Sequence, residues 1–172
     1  MKYYIISGEA SGDLHGSKLI EALKEKDKKA QIRCWGGDLM KKAGGELVKH
    51  FNELAFMGFW EVISNLGAII RNINFCKKNI LEFDPDVIIY IDYPGFNLRI
   101  SKWAKKQGFK NHFYISPQVW AWKENRVNQM KKNLDALYVI LPFEKEFFEI
   151  RHQFSVEFVG HPLLDRVMLS AK

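Results

Sequence analysis

Short apolar runs alternate with longer stretches of helical periodicity along this chain. Tyr3–Ile6 is a strand-length apolar run. Asp13–Lys26 follows, with Leu19, Ile20 and Leu23 on one helical face. Gln31–Trp35 predicts a second strand, stopped by Gly36-Gly37, and Phe59–Phe83 predicts a long helix that ends before Pro85. Val87–Ile91 is apolar on both faces, as a strand at the centre of a parallel sheet would be. Helices over Phe96–Gln107, Glu124–Lys132 and Phe143–His152 then alternate with strands over His112–Ile115, Ala136–Leu141 and Val156–Val159. This order predicts an α/β domain with a parallel sheet and right-handed crossovers. The pattern weakens after Gly160-His161-Pro162, which places a domain boundary near Leu163–Lys172.

Composition narrows the class only slightly. Hydrophobic residues make up 47% and charged residues 27% of 172 residues, ordinary values for a folded domain able to bury a core. The net charge of +6 favours anionic partners: phosphates, nucleic acid or acidic lipid surfaces. Cys34 and Cys76 lack metal-ligand or redox spacing and read as reduced thiols of a cytoplasmic protein. The start of the chain lacks the pattern of a secretory signal, and no apolar run is long enough to span a bilayer.

Candidate chemistry gathers where strands end. Ser7-Gly8-Glu9-Ala10-Ser11-Gly12-Asp13-Leu14-His15-Gly16 lies between the first strand and the first helix, and α/β sheets bind ligands beyond the carboxyl ends of their strands. Its glycines allow a ligand or a second backbone to come close. Their spacing is not the dinucleotide fingerprint, and Glu9 and Asp13 would repel a pyrophosphate. Carboxylates suit sugar hydroxyls, as acceptors or proton takers; Asp13 could equally cap the first helix. Asp92-Tyr93-Pro94-Gly95-Phe96-Asn97 directly follows the most apolar strand, where an acidic residue would meet substrate, with a turn capped by Asn97 as the structural alternative. Asp84-Pro85-Asp86 matches a D-x-D metal string, but it precedes its strand and reads as a helix stop. No two histidines stand at metal-ligand spacing.

Two further segments are apolar or aromatic. Between Glu61 and Arg71 there is no charge, and Phe59, Ile63, Leu66 and Ile70 form one helical stripe. Met57, Trp60, Val62, Ile69 and Ile73 spread onto neighbouring faces. Such a helix is either well buried or meets lipid with its outer face. Ser116-Pro117-Gln118-Val119-Trp120-Ala121-Trp122 follows the strand ending at Ile115. Its tryptophans could stack on a sugar, sit at a membrane interface or fill the core. Lys123, Arg126, Lys131 and Lys132 come soon after.

In order and approximate spacing these segments resemble the lipid-A-disaccharide synthase family. The resemblance rests on Gly8-Glu9-Ala10-Ser11-Gly12-Asp13, Met57-Gly58 with Glu61-Val62, and Asp92 with Pro94, Phe96 and Asn97. It continues through Ser116-Pro117-Gln118-Val119-Trp120-Ala121-Trp122, Leu141-Pro142-Phe143-Glu144 and Gly160-His161-Pro162.

The resemblance implies the N-terminal, acceptor-side half of a GT-B glycosyltransferase: a Rossmann-like parallel sheet with helices on both faces, linked after Pro162 to a UDP-binding domain. It implies transfer of 2,3-diacylglucosamine from UDP to the 6-hydroxyl of 2,3-diacylglucosamine 1-phosphate, with inversion, without metal or other cofactor, and with no nucleic-acid partner. Asp92 is then the first choice of base. Glu9 and Asp13 would orient sugar hydroxyls, with Glu9 as reserve base. Gly8, Ser11, Gly12, His15, Asn97, Ser116, Gln118 and Trp120 would complete the substrate site. Met57, Phe59, Trp60, Ile63, Leu66, Ile69 and Ile70 would receive acyl chains at the inner leaflet of a Gram-negative bacterium's inner membrane, and basic side chains would meet the acceptor phosphate and anionic lipid. A fragment without the UDP domain would be inactive, and the full-length protein could form a homodimer. A sugar-nucleotide epimerase of similar build and a non-catalytic membrane-binding module are the competing readings.

Overall fold

The computed structural model describes residues 1–54 and 66–162. The chain builds a seven-stranded, wholly parallel sheet in the order β3-β2-β1-β4-β5-β6-β7. β1 is Lys2–Ser7, β2 Gln31–Gly36, β3 Glu46–His50, β4 Val87–Ile91, β5 Asn111–Tyr114, β6 Ala136–Val139 and β7 Glu157–Phe158. The connecting helices are α1 (Ala10–Lys26), α2 (Asp38–Lys42), α3 (Leu66–Phe83), α4 (Pro94–Lys106), α5 (Val119–Trp122), α6 (Arg126–Asn133) and α7 (Pro142–Glu146), the last running on into a π-helical turn over Phe147–Arg151. The parallel α/β sheet is what the alternating pattern predicts, and its Rossmann-like arrangement is the one the resemblance implies.

The crossover rule explains how the layers divide. From β1 the chain steps outward through α1 and α2 to β3, then returns to β4 and steps outward the other way. Right-handed connections running in opposite directions must lie on opposite faces. One core accordingly packs Ile20 and Met40, from α1 and α2, against Tyr3, Ile5, Ile32, Cys34, Ile89 and Ile91. The other packs Cys76 and Ile80 of α3, Ile100 and Ala104 of α4, and Met130 of α6 against Tyr4, Ile6, Ile88, Tyr90, Phe113 and Leu137. β4 is buried at every position, as its unbroken apolar run requires. The polar tips inside this core are paired. Trp35 Nε1 donates to the Tyr4 hydroxyl at 2.9 Å, which donates to Asn79 Oδ1 at 2.8 Å, and Tyr90 Oη donates to Asn111 Oδ1 at 2.8 Å. Cys34 and Cys76 are free and buried, and burial pushes the Cys34 thiol up to about 12.

On the α1 side, no helix among the described residues covers β5 to β7. An apolar hollow of about 430 Å³ lies there, lined by Leu19, Leu23, Ile89, His112, Tyr114 and Tyr138 among others.

The sequence pattern omits β3, α2 and α5. β3 has no fully buried residue, so it carries little apolar signal. α2 is five residues long and depends on a distant carboxylate described below. The predicted β6 runs on through Leu141, whereas the strand ends at Val139 and Ile140 and Leu141 peel away to line a cavity. Of the long helix expected over Phe59–Phe83, the part from Leu66 onward is a helix, and the earlier part lies outside the described residues. The boundary expected at Leu163–Lys172 lies outside them too.

Candidate active site

β1 and β4 pair in register through Ser7 and Ile91, and the chain leaves them toward opposite faces. That is a topological switch point, where an open α/β sheet forms its ligand crevice. Gly8 and Asp92 are the first residues beyond these strand ends. A side chain at Gly8 would place its Cβ 2.4 Å from the Tyr93 ring, so the glycine lets the two exits pack directly. Tyr93 in turn stacks on Phe96, with ring centroids 5.6 Å apart and planes 24° from parallel. Gly12 serves the same purpose one turn on, where an added Cβ would lie 2.2 Å from Ser7 Oγ.

The backbone beyond β4 and β5 is strained. Asp92 and Tyr93 take φ of 45° and 51°, and Ile115 takes 67°. A left-handed β-branched residue such as Ile115 is a clear outlier, and strain of this kind gathers at functional sites. Asp92, Ile115, Ser116 and Gln118 line one cavity of about 350 Å³, whose other walls include Trp122, Lys123, Arg126, Leu141 and Glu144. Asn97 is fully buried and holds the turn. Its Nδ2 donates to the Asp92 carbonyl at 2.6 Å and reaches the Ile6 and Ile91 carbonyls at 3.4 Å. It is therefore not the cap of α4, whose N-cap is Tyr93.

Around the crevice stand Glu9, exposed as the N-cap of α1, and His15, half-buried on the same helix. Burial pushes the His15 imidazole below its ordinary value, the nearby His161 pushes it the same way, and Asp92 opposes them. Burial likewise raises the Tyr93 hydroxyl, Glu9 raises it further, and Arg99 counters. Glu9, His15, Asp92, Tyr93 and His161 thus share one electrostatic neighbourhood. Ser11 is exposed on the first turn of α1.

Asp13 departs from both expectations for it. It lies inside α1, 4% exposed, and its carboxylate accepts from the backbone N–H groups of Gly37 at 2.8 Å, Met40 at 3.0 Å and Leu39 at 3.1 Å. Both oxygens are committed to the start of α2. Asp13 therefore neither faces a sugar nor caps α1; it joins α1 to the β2–α2 turn.

Trp120 sits edge-on to Phe143 at 4.9 Å, and Trp122, 68% exposed, is the tryptophan on the cavity wall. Glu144, not anticipated as a wall residue, is 1% exposed, and its Oε2 accepts from the Ile140 and Leu141 N–H groups. The Leu-Pro-Phe-Glu string carries that signal, with proline and glutamate in the first turn of a helix. Asp84 ends α3 at φ 50°, and Asp86 accepts from the Lys2 N–H at 2.7 Å, on the edge opposite the crevice. The expected acyl-chain residues Met57, Phe59, Trp60 and Ile63 lie outside the described residues, as does the side chain of Leu66. Ile69 is half-buried, and Ile70 is exposed. No described helix is long and apolar enough to cross a membrane.

Fold and site together define a Rossmann-like α/β unit with a carboxylate-bearing crevice at its β1–β4 switch point. The chain belongs to the lipid-A-disaccharide synthetase family, whose model matches residues 3–172. It is 44% identical over 166 residues to the lipid-A-disaccharide synthase of Trichlorobacter lovleyi, matching 96% of this chain and 43% of that protein. It is 38% identical over 169 residues to the synthase of Chromohalobacter salexigens, matching 98% of this chain and 44% of that protein. The chain therefore spans less than half the length of these relatives. In fold it is similar to a UDP-GlcNAc 2-epimerase from Neisseria meningitidis solved with UDP-GlcNAc, at a TM-score of 0.68 and 13% identity over 99% of this chain and 49% of that one. A putative UDP-N-acetylglucosamine 2-epimerase from Listeria monocytogenes gives a TM-score of 0.63 at 11% identity, over 96% of this chain and 50% of that one.

Two outcomes follow from this geometry. Asp13→Asn leaves one buried N–H of the α2 turn facing an amide N–H, a loss of about 1–3 kcal/mol of stability. Asp13→Ala orphans all of these donors and loses more. Urea melts of the full-length protein check the order, and an unchanged melt for Asp13→Ala would refute the assignment. His15 titrates lower folded than unfolded, so the unfolded chain is the better proton binder. Its contribution to stability is complete above the unfolded value, near pH 6.5, and is lost as the pH falls toward the folded value. His112 is shifted the same way, chiefly by burial. The melting temperature of His15→Gln should thus fall less than wild type between about pH 7.5 and about pH 5.5. Parallel curves would exclude the effect.

Proposed function

We propose that the full-length protein is a lipid A glycosyltransferase of GT-B build, to which this chain contributes the acceptor side. It moves 2,3-diacylglucosamine from UDP to the 6-hydroxyl of 2,3-diacylglucosamine 1-phosphate. The observation that carries this reading is the position of Asp92: on a strained turn at the switch point, opening into the same cavity as Ser116 and Gln118, in a chain of the lipid-A-disaccharide synthetase family.

The step is a single displacement. Asp92 takes the proton of the acceptor hydroxyl as that oxygen bonds to the anomeric carbon of the donor sugar. The bond from that carbon to the UDP phosphate oxygen breaks on the opposite side, UDP leaves, and the configuration inverts. No metal takes part. Asn97 fixes the Asp92 backbone at 2.6 Å, which sets the angle of the base. His15, held toward its neutral form, can hydrogen-bond to a sugar hydroxyl. Glu9 and Ser11 stand at the open rim and orient the sugar, with Glu9 as reserve base. Positioning of this kind supplies much of the acceleration in a bimolecular transfer. The likeness to epimerases rests on fold at 13% identity, whereas the likeness to synthases reaches 44% identity, which favours transfer.

The exposed Ile70, with Arg71 beside it on α3, supports a lipid-facing surface at this end of the helix, fitted to acylated substrates and to the cytoplasmic face of an inner membrane. Ile70→Ser in the full-length protein should weaken flotation with phosphatidylglycerol vesicles while leaving the melting temperature within a few degrees, as surface changes do. Unchanged flotation would remove this residue from the surface.

Asp92→Asn in the full-length enzyme should lower turnover by about two to four powers of ten, the usual range for losing a general base. Donor affinity should change little, because the replacement keeps the shape of the side chain. Disaccharide formation from both purified lipid substrates is the measurement. Near-normal turnover would move the base to Glu9.

A further inference from the structure

The cavity wall beside Asp92 carries charge that the transfer step does not use. Four charged residues line the cavity: Asp92, Lys123, Arg126 and Glu144. The Glu144 carboxylate is buried, and its Oε2 accepts from two backbone N–H groups. Glu124, between the two cations in sequence, instead pairs with Arg151 at 2.9 Å. Lys123 and Arg126 have no carboxylate partner among the described residues; both lie against Trp122. Lys123 Nζ is 4.5 Å from the indole centroid, and the Arg126 guanidinium carbon is 5.8 Å from it. An aromatic face holds a cation in place without neutralising it. A pair of cations kept near each other, half-buried on a cavity wall and ion-paired with no carboxylate among the described residues, is suited to an anion. Arg126 adds a planar fork that matches phosphate oxygens.

We propose that Lys123 and Arg126, held on Trp122, form the subsite that grips the phosphate monoester of the sugar acceptor. The inference rests on the transfer reading and adds to it the residues that select a phosphorylated acceptor. The subsite shares its cavity with Asp92, so anchoring the phosphate at the Trp122 wall fixes how the sugar presents its hydroxyl to the base. These residues position and select; they do not touch the reacting atoms. Trp122, exposed and bearing both cations, is then part of the phosphate site, while Trp120 is part of the packing against Phe143.

The test uses the full-length protein and acylated glucosamine acceptors with and without the anomeric phosphate. Arg126→Ala should raise KM for the phosphorylated acceptor roughly tenfold to a hundredfold, the change expected on losing a charged hydrogen bond. Donor KM should stay near wild type. The preference for the phosphorylated over the unphosphorylated acceptor should collapse toward unity, partly in Lys123→Ala and fully in the double variant. Arg126→Lys should restore part of it. An unchanged preference, or a rise confined to donor KM, would overturn the subsite; the second result would assign the cations to the donor diphosphate. Loss of binding to phosphatidylglycerol vesicles with the preference intact would overturn it too, in favour of a lipid headgroup. Calorimetric titration with glucosamine 1-phosphate separates the subsite from the reaction. Binding by wild type that is lost in Arg126→Ala supports the subsite even if no disaccharide forms, an outcome that would sink the transfer reading alone. Thermal melts of each variant exclude unfolding as the cause.

Discussion

Parallel pairing of β1 with β4 is the constraint from which the rest of the site follows. These neighbours send their chains to opposite faces of the sheet, so no connection can cover the gap at their carboxyl ends. Two exits must nevertheless pass close to each other there. The chain meets this demand with a glycine at position 8 and with consecutive left-handed residues at Asp92 and Tyr93. Asn97 collects the carbonyls of both strand ends on one amide. The backbone at Asp92, the proposed base, is therefore tied to both strand ends. The chemistry proposed for Asp92 needs that tie, because a proton can pass only when donor and acceptor are held within hydrogen-bond reach.

Carboxylates near this edge divide into those that face the ligand space and those used inside the protein. Asp13 and Glu144 belong to the second group. Each is almost fully buried and satisfies backbone N–H groups that would otherwise be orphaned at a helix start. Asp92 and Glu9 remain available. The division bears on charge placement: Lys123 and Arg126 share their cavity with Asp92 and Glu144, yet neither cation forms an ion pair among the described residues.

What was legible in the chain was what depends on neighbours in sequence. The unbroken apolar run at Val87–Ile91 marks a central strand because burial on both faces leaves no place for a polar residue. Asp92 is readable as a candidate site residue because it follows that run directly. Asp13 was not readable as the holder of α2, since its partners lie 24 to 27 residues away and appear only once β2 has paired with β1. β3 was missed because an edge strand with half-exposed residues has too little alternation to stand out. The two tryptophans could not be told apart by spacing. A single short helix turns Trp120 toward Phe143 and Trp122 toward the cavity, and that rotation is set by packing.

The contact between Gly8 and Tyr93 couples two positions that are 85 residues apart in the chain. With 2.4 Å between a hypothetical Cβ and the ring, the space they share is fixed, and bulk added at one must be removed at the other. A library that varies the loop after β1 alone would sample mostly displaced Tyr93 rings and hence displaced Asp92 carboxylates. Redesign of the crevice would succeed only by treating the two loops as a single unit, with the sizes at 8 and 93 changed together.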